Sequence, residues 1–206
     1  GADVAVNKVN IETSATGDKS LTINNNGSLT VVGGNANDLL IAANDKDLTT
    51  IKVDSGELNL GSAAMPDRGA GTLGEAHIKL GNNGSLNASN GDYTVGDVTG
   101  TGKVTADAAN IKATGDVTAG DINLAKGGSV TSEKSITVNG PIANADGTLQ
   151  AGGNITVLND ITKAGNGKLT VAAGGTIEAA NISATNVAAK KLTASGDVAV
   201  DGGVLN

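Results

Sequence analysis

Short apolar–polar–apolar triplets recur along the chain and form its dominant pattern. Typical triplets are Leu29-Thr30-Val31, Ile136-Thr137-Val138 and Ile155-Thr156-Val157. Alternation with a period of two, carried by β-branched and aliphatic residues, is typical of half-buried β-strands. Pairs such as Asn26-Gly27 and Gly152-Gly153 separate the triplets and favour turns. Since no window keeps a helical period for long, the pattern predicts an all-β protein built from short strands.

The spacing of the triplets predicts how these strands are arranged. The first apolar residue of every third triplet gives three interleaved series that share a step of about 19 residues. The series are Val98, Val117, Ile136 and Ile155; Val104, Ile122, Ile142, Ile161 and Ile182; and Ile111, Val130, Leu149, Leu169 and Val187. The first series extends backward, less regularly, through Ile78, Leu58 or Leu60, Leu40 and Leu21. A common period of this kind indicates stacked repeats.

Three strands in each period predict a three-sided coil, in which every strand pairs in parallel with its equivalent one turn earlier. The first and third residues of each triplet then point inward and stack into aliphatic ladders. Gly and Asn occupy the corners, which require positive φ. Strand starts are spaced by about five to eight residues, which favours a right-handed coil over the left-handed hexapeptide type. We therefore expect a right-handed parallel β-helix, a three-sided β-solenoid of about 19 residues per coil, with residues 1–206 as a single domain.

Two other folds are compatible with parts of the pattern. An antiparallel β-sandwich or barrel would use the Asn-Gly pairs as hairpin turns, but it would not place three series on one period. A disordered chain would account for the many Gly, Asn, Ser and Thr residues, but it would not keep the strand alternation. The solenoid is the prediction that accounts for both observations.

Composition and charge exclude several classes of function. The chain has 31 Gly, one Tyr and no Phe, Trp or Cys, which suits a narrow interior with little room for rings. Without cysteine there is no disulfide framework or thiol nucleophile, and one histidine cannot build a His-based zinc site. A net charge of −7 with a single arginine, Arg68, argues against a nucleic-acid partner. No apolar run approaches the ~20 residues of a transmembrane segment.

Particular stretches resemble bacterial surface adhesins. The stretch from Asp160 to Val171 is similar to the "ϕTKxGxGxLTϕ" element repeated in autotransporter passengers. The segments Gly115–Gly120 and Gly152–Val157 resemble filamentous-haemagglutinin-type repeats. The chain thus resembles autotransporter passengers and filamentous-haemagglutinin-type exoproteins. The resemblance implies an extracellular, cell-surface location and adhesion or aggregation through a receptor on a host or neighbouring cell.

We expect a non-enzymatic, secreted, rod-like adhesin or passenger segment. The acidic residues are scattered over corners, and one Arg and one Tyr leave little with which to build a sugar-cleaving cleft. The alternative is a self-assembling extracellular filament or surface-layer subunit, a homopolymer that stacks end to end through its terminal coils. Open coil ends expose unpaired strand edges, and heterologous contacts between ends give open fibres.

One segment interrupts the repeat and holds the rarest residues of the chain. Residues 62–75 contain Met65, Pro66, Asp67 and Arg68, and His77 follows just beyond. Loops on rigid scaffolds often carry recognition, so these residues form a candidate partner-contact loop, with a tolerated insertion as the alternative. Inward Ile78 and Leu80 would turn Glu75, His77 and Lys79 outward together. A Glu–His pair can perform acid–base chemistry, but a solvated face is the simpler interpretation.

Two further motifs suggest a ligand. Gly33–Ile41 resembles the calcium-binding nonapeptide of β-roll proteins, but Ala36 replaces its third glycine and the next repeat lacks a glycine pair. We therefore expect no cofactor and no metal, with calcium as the alternative. Outward threonines that recur once in each coil should form a ladder: Thr99, Thr118, Thr137 and Thr156. An ice-binding surface would need a second uncharged row, whereas the neighbouring row is Asp97, Asp116, Ser135 and Asn154.

Overall fold

The computed structural model describes residues 2–6, 9–11, 19–31, 41–43, 49–61, 70–72 and 76–206, and its regular elements there are all β-strands. The strands are β1 (Asp3–Val6), β2 (Val9–Ile11), β3 (Lys19–Ile23), β4 (Gly27–Val31), β5 (Ile41–Ala43), β6 (Thr49–Leu60), β7 (Ala70–Thr72), β8 (His77–Val95), β9 (Val98–Gly100), β10 (Lys103–Ala113), β11 (Val117–Ala119), β12 (Asp121–Ala125), β13 (Gly128–Ser132), β14 (Ile136–Val138), β15 (Ile142–Ala145), β16 (Gly147–Ala151), β17 (Ile155–Val157), β18 (Ile161–Lys163), β19 (Leu169–Ala173), β20 (Thr176–Ala179), β21 (Ile182–Ala184), β22 (Asn186–Ala188), β23 (Lys191–Ala194) and β24 (Val198–Val200).

Successive strands turn through three faces, and strands of the same face pair in parallel from coil to coil, with a break in the second face between β12 and β15. The first face stacks β3, β6, β8, β9, β11, β14, β17, β20 and β23. The second face stacks β1, β4, β6, β8, β10 and β12, and then β15, β18, β21 and β24. The third face includes β7, β8, β10, β13, β16, β19 and β22. The predicted β-solenoid is confirmed, with about 19 residues in each regular coil.

The register confirms most of the predicted ladders and corrects one of them. On the first face, Val117 pairs with Ile136 and Ile136 with Ile155. On the third face, however, Leu149 pairs with Val171 and not with Leu169, as the spacing had predicted. Leu169 instead pairs with Gly147, which has no side chain to compete for the space. The corner that precedes β19 is longer than those of the preceding coils, and this shifts the third ladder to the next inward position.

The backward extension of the first ladder is also corrected. Ile78 pairs with Ile51, which pairs with Leu21, whereas Leu58 pairs with Leu29 and Leu86 on the second face. The predicted member Leu40 lies outside the described residues. The steps from Leu21 to Ile51 and from Ile51 to Ile78 are both longer than the common period, so counting by that period selects the wrong triplet.

Aliphatic side chains fill the interior, with one aromatic exception. Most inward positions from Val95 to Val187 are Val, Ile, Leu or Ala residues with almost no exposed surface. Tyr93 is also buried, and its hydroxyl donates a hydrogen bond to the carbonyl of Ser89 at 3.0 Å. Its register partner is Gly71, and a Cβ on Gly61 would overlap the tyrosine hydroxyl. Gly61 therefore leaves the space that the hydroxyl end of the ring needs.

The corner between the second and third faces uses left-handed backbone. Asn90, Ala108, Lys126 and Asn144 all have φ between 50° and 53° there. Asn tolerates this conformation, whereas a Cβ on most L-residues makes it unfavourable by about 1–2 kcal/mol. Ala108 has a Cβ and no side-chain polar group that could hydrogen-bond locally, so it carries this strain without compensation.

Replacing Ala108 by Gly is expected to stabilise the protein by roughly 1 kcal/mol, because relief of this strain outweighs the added freedom of the unfolded chain. Thermal denaturation followed by circular dichroism measures the change. Ala172→Gly is the matched control: Ala172 lies inside β19 with an outward side chain, so the same substitution should lower stability there. Equal effects at both positions would contradict the assignment of strain to Ala108.

Candidate functional site

His77 begins β8 and forms the most distinctive polar contact on the first face. Its Nδ1 lies 2.6 Å from Oδ1 of Asp97. Asp97 occupies the corner before β9, one coil later, so the stacking of coils brings the two side chains together. Both remain partly exposed, with 41% and 29% of their side-chain surface accessible. The pair is thus reachable from solvent.

A corner groove continues from this pair across the next two coils. It encloses a cavity of about 330 Å³, lined by His77, Gly96, Asp97, Thr114, Gly115, Asp116 and Lys134. Gly115 allows its corner to approach Asp97 closely, because a Cβ at that position would lie 2.8 Å from the Cβ of Asp97. Ser132 fixes the corner that carries Lys134: its Oγ donates to the Gly115 carbonyl at 2.7 Å and accepts the Lys134 N–H at 3.0 Å.

The acidic residues of this corner are largely engaged by the fold itself. Asp116 Oδ1 accepts the backbone N–H of Ser135 at 3.0 Å. Ser135 Oγ accepts the N–H of Asn154 at 3.1 Å, and Asn154 Oδ1 accepts that of Thr176 at 2.8 Å. Each side-chain oxygen thus satisfies a backbone donor of the following coil. Asp116, Ser135 and Asn154 thus form a row that links neighbouring coils by hydrogen bonds, which explains why each of them has a side-chain oxygen.

The predicted threonine ladder is present on the first face. Thr118 pairs with Thr137 and Thr137 with Thr156, and Thr99 occupies the equivalent position of β9. Lys79 lies beside Thr99 at one end of the ladder, and Glu178 beside Thr156 at the other. Because neighbouring parallel strands lie about 4.8 Å apart, the four hydroxyl-bearing side chains form a regular uncharged row.

The structure brings together only part of the predicted site. Met65, Pro66, Asp67 and Arg68 of the candidate loop, together with Glu75, lie outside the described residues, as do residues 33–40 of the calcium-like motif. His77 and Lys79 turn away from the core while Ile78 and Leu80 are buried, as predicted. The structure pairs His77 with Asp97 of the next coil, a partner that the sequence did not identify. The separation of His77 and Asp97 is 20 residues, about one coil, so the period could have indicated that the two residues stack.

Within the described part of the chain, no group of three or more His, Cys, Asp or Glu side chains has the geometry to hold a metal ion. Over the same residues there is no helix long and apolar enough to cross a membrane.

The evidence for the fold is the strand register of the chain itself, because comparison with known proteins adds none. No family model, no curated protein and no solved structure matches this chain.

Proposed function

We propose that the protein is a non-enzymatic, secreted bacterial surface protein, a rod-like adhesin or passenger segment that mediates cell adhesion or aggregation. The observation that carries this proposal is the uncharged threonine row on the first face, repeated in strict register over Thr118, Thr137 and Thr156. A row of identical groups suits many weak, repeated contacts to a cell surface better than a single chemical step.

The corner groove is compatible with the non-enzymatic part of the proposal. Asp116 accepts a backbone N–H of the following coil and so serves the stacking of the coils. The His77–Asp97 pair is the kind of pair that orients a catalytic histidine, but the described lining of the groove holds no cysteine or serine that could act as a nucleophile beside it. The resemblance of residues 160–171 to an autotransporter passenger element adds the expected location, the bacterial cell surface.

Adhesion is tested with microspheres that carry the purified 206-residue chain. We expect them to bind cultured cells, or one another, more than microspheres that carry an unrelated soluble protein. A variant with Thr118→Lys, Thr137→Lys and Thr156→Lys should lose most of this binding, because three bulky charges interrupt the row. The side chains point outward, so the interior is unchanged.

The matched control places the same three charges on another face. Ser129, Thr148 and Thr170 form an outward row in register on the third face. The variant Ser129→Lys, Thr148→Lys and Thr170→Lys has the same net charge and the same one-coil spacing of lysines. It should retain binding if the first face is the adhesive surface. No binding by the wild-type chain, or equal loss in both variants, would overturn the proposal.

A further inference from the structure

The row of corner side chains that links neighbouring coils is interrupted at Asp97. The N–H groups of Ser135 and Asn154 donate to the side-chain oxygens of Asp116 and Ser135, one coil earlier in each case. The same register places Asp97 one coil before Asp116. Oδ1 of Asp97 instead lies 2.6 Å from Nδ1 of His77, and among the described residues no hydrogen bond joins Asp97 to the N–H of Asp116. This N–H is therefore available to an acceptor from outside the fold.

His77 contributes an acceptor to the same groove. An ionised carboxylate accepts but does not donate, so Nδ1 of His77 carries the proton that it shares with Asp97. In the neutral ring, Nε2 then keeps its lone pair, and the side chain remains partly exposed. The second carboxylate oxygens of Asp97 and Asp116 are further acceptors in the lining. The stacking of coils thus places an open donor and several acceptors side by side.

The lining of the groove carries both signs of charge. Asp97 and Asp116 are negative, whereas Lys134 is positive and takes part in none of the ion pairs among the described residues. Two carboxylates repel an anion such as phosphate, and an ammonium group beside an open N–H opposes a metal cation. A hydroxyl group both donates and accepts hydrogen bonds. The lining therefore complements a neutral molecule that carries several hydroxyl groups.

The size and position of the groove fit one sugar unit. Its cavity of about 330 Å³ lies at the lower end of the range for small-molecule sites. Asp97 and Asp116 precede Thr99 and Thr118 of the threonine row by two positions, and residues two apart in extended chain project from the same side. A sugar in the groove thus lies beside the threonine row, along which neighbouring units of the same glycan can extend.

We propose that the corner groove binds one neutral sugar unit of a cell-surface glycan; the cell surface as the source of this sugar rests on the proposed function. The Asp116 N–H and the Lys134 ammonium donate to oxygens of the sugar. The second carboxylate oxygens of Asp97 and Asp116, together with His77 Nε2, accept its hydroxyl protons. The described lining has no Phe, Tyr or Trp on which a sugar could stack, so one groove binds weakly, with a Kd in the millimolar range. Adhesion then depends on many copies that act together.

Nuclear magnetic resonance of the isotope-labelled 206-residue chain tests the site with free sugars. The probes are the methyl glycosides of glucose, galactose, mannose and N-acetylglucosamine, each titrated separately, and inorganic phosphate. At least one sugar should shift the amide signals of Asp116 and Lys134 and the ring signals of His77, the single histidine of the chain. Hydrogen exchange at the Asp116 amide should slow at the same time, because the N–H gains an acceptor. No response to any of the four sugars, or a response to phosphate alone, would overturn the proposal.

Two pairs of charge-matched variants localise the binding. Asp116→Asn keeps the oxygen that accepts the Ser135 N–H but removes the charge, and Lys134→Met keeps the length of the side chain. Each should raise the Kd about tenfold or more, because it removes a charged hydrogen-bonding group from the site. Asp121→Asn and Lys103→Met make the same changes on the second face and should bind like the wild type. Equal weakening in both pairs would show that the groove is not the site.

The microsphere experiment separates this site from the proposed function. If free sugars bind the groove but microspheres with the wild-type chain do not adhere, the sugar site stands and the adhesive function fails. If the microspheres adhere but the sugar titrations remain silent, the adhesive function stands and the sugar site fails. Where both hold, microspheres that carry Asp116→Asn should adhere less than those that carry Asp121→Asn.

Discussion

Ile136→Asp is expected to abolish stable folding of the central coils at neutral pH. Ile136 has no exposed surface and lies between Val117 and Ile155 in the first-face ladder. A carboxylate at this position would have aliphatic neighbours above and below, and an unpaired buried charge is among the most destabilising substitutions known in cores, with effects beyond about 4–5 kcal/mol. Loss of the β signal in circular dichroism and rapid proteolysis between residues 117 and 157 would report the result.

Thr137→Asp provides the control at the adjacent position. Thr137 points outward in the same strand, and its strand neighbours in register are Thr118 and Thr156. The new carboxylate would be solvated there, so the expected change in stability is within about 0.5 kcal/mol. Similar behaviour of the two variants would contradict the division of each triplet into inward and outward residues, and with it the solenoid.

The sequence predicts the regular part of the fold well because every coil needs inward aliphatic residues at equivalent positions. The steps from Val98 to Val117, Ile136 and Ile155 are equal, and these residues pair in the predicted register. In a narrow parallel coil, a shift by one residue would expose the whole inward row, so the hydrophobic pattern and the register must agree. The period could therefore be recognised without knowledge of any relative.

The irregular coils could not be predicted in the same way. The triplets Ile51-Lys52-Val53 and Leu58-Asn59-Leu60 have the same pattern, and nothing local assigns one to the first face and the other to the second. Their assignment depends on the number of residues in each coil. From Leu21 to Ile51 and from Ile51 to Ile78, that number is larger than the common period. Likewise, Leu169 and Val171 are both buried, and the pairing of Leu169 with Gly147 decides between them.

The sequence identified one residue of the candidate site, His77, but not the residue that it contacts. His77 was identified from its rarity and its outward position, but its contact with Asp97 crosses from one coil to the next. Such contacts follow from stacking once the local coil length is known, here 20 residues from His77 to Asp97. The close approach of Gly115 to Asp97 likewise joins two different coils, so no local sequence motif could have predicted it.

Tyr93→Ala is expected to be the most destabilising truncation in the third-face ladder, at about 3–5 kcal/mol. The ring is buried and its hydroxyl fills space that Gly61 leaves free, so its removal creates a cavity that the glycine cannot fill. Tyr93→Phe keeps the ring and loses the hydrogen bond to the Ser89 carbonyl, which should cost about 1 kcal/mol. Urea denaturation followed by circular dichroism compares the variants, and a mild Tyr93→Ala would show that the interior collapses around the missing ring.

The same residue makes the stability of the fold depend on pH in the alkaline range. Burial, and secondarily the carboxylate of Asp92, raises the pKa of Tyr93 from 10.0 to about 12. The folded state therefore holds the phenolic proton more tightly than the unfolded chain, so the associated stability is fully present below pH 10 and is lost as the pH rises towards 12. Two pH units correspond to roughly 3 kcal/mol. Since the chain has one Tyr and no Trp, tyrosinate absorbance reports this titration directly, and Tyr93→Phe should remove this part of the pH dependence. A tyrosinate transition near pH 10 in the folded protein would show that the ring is reached by water.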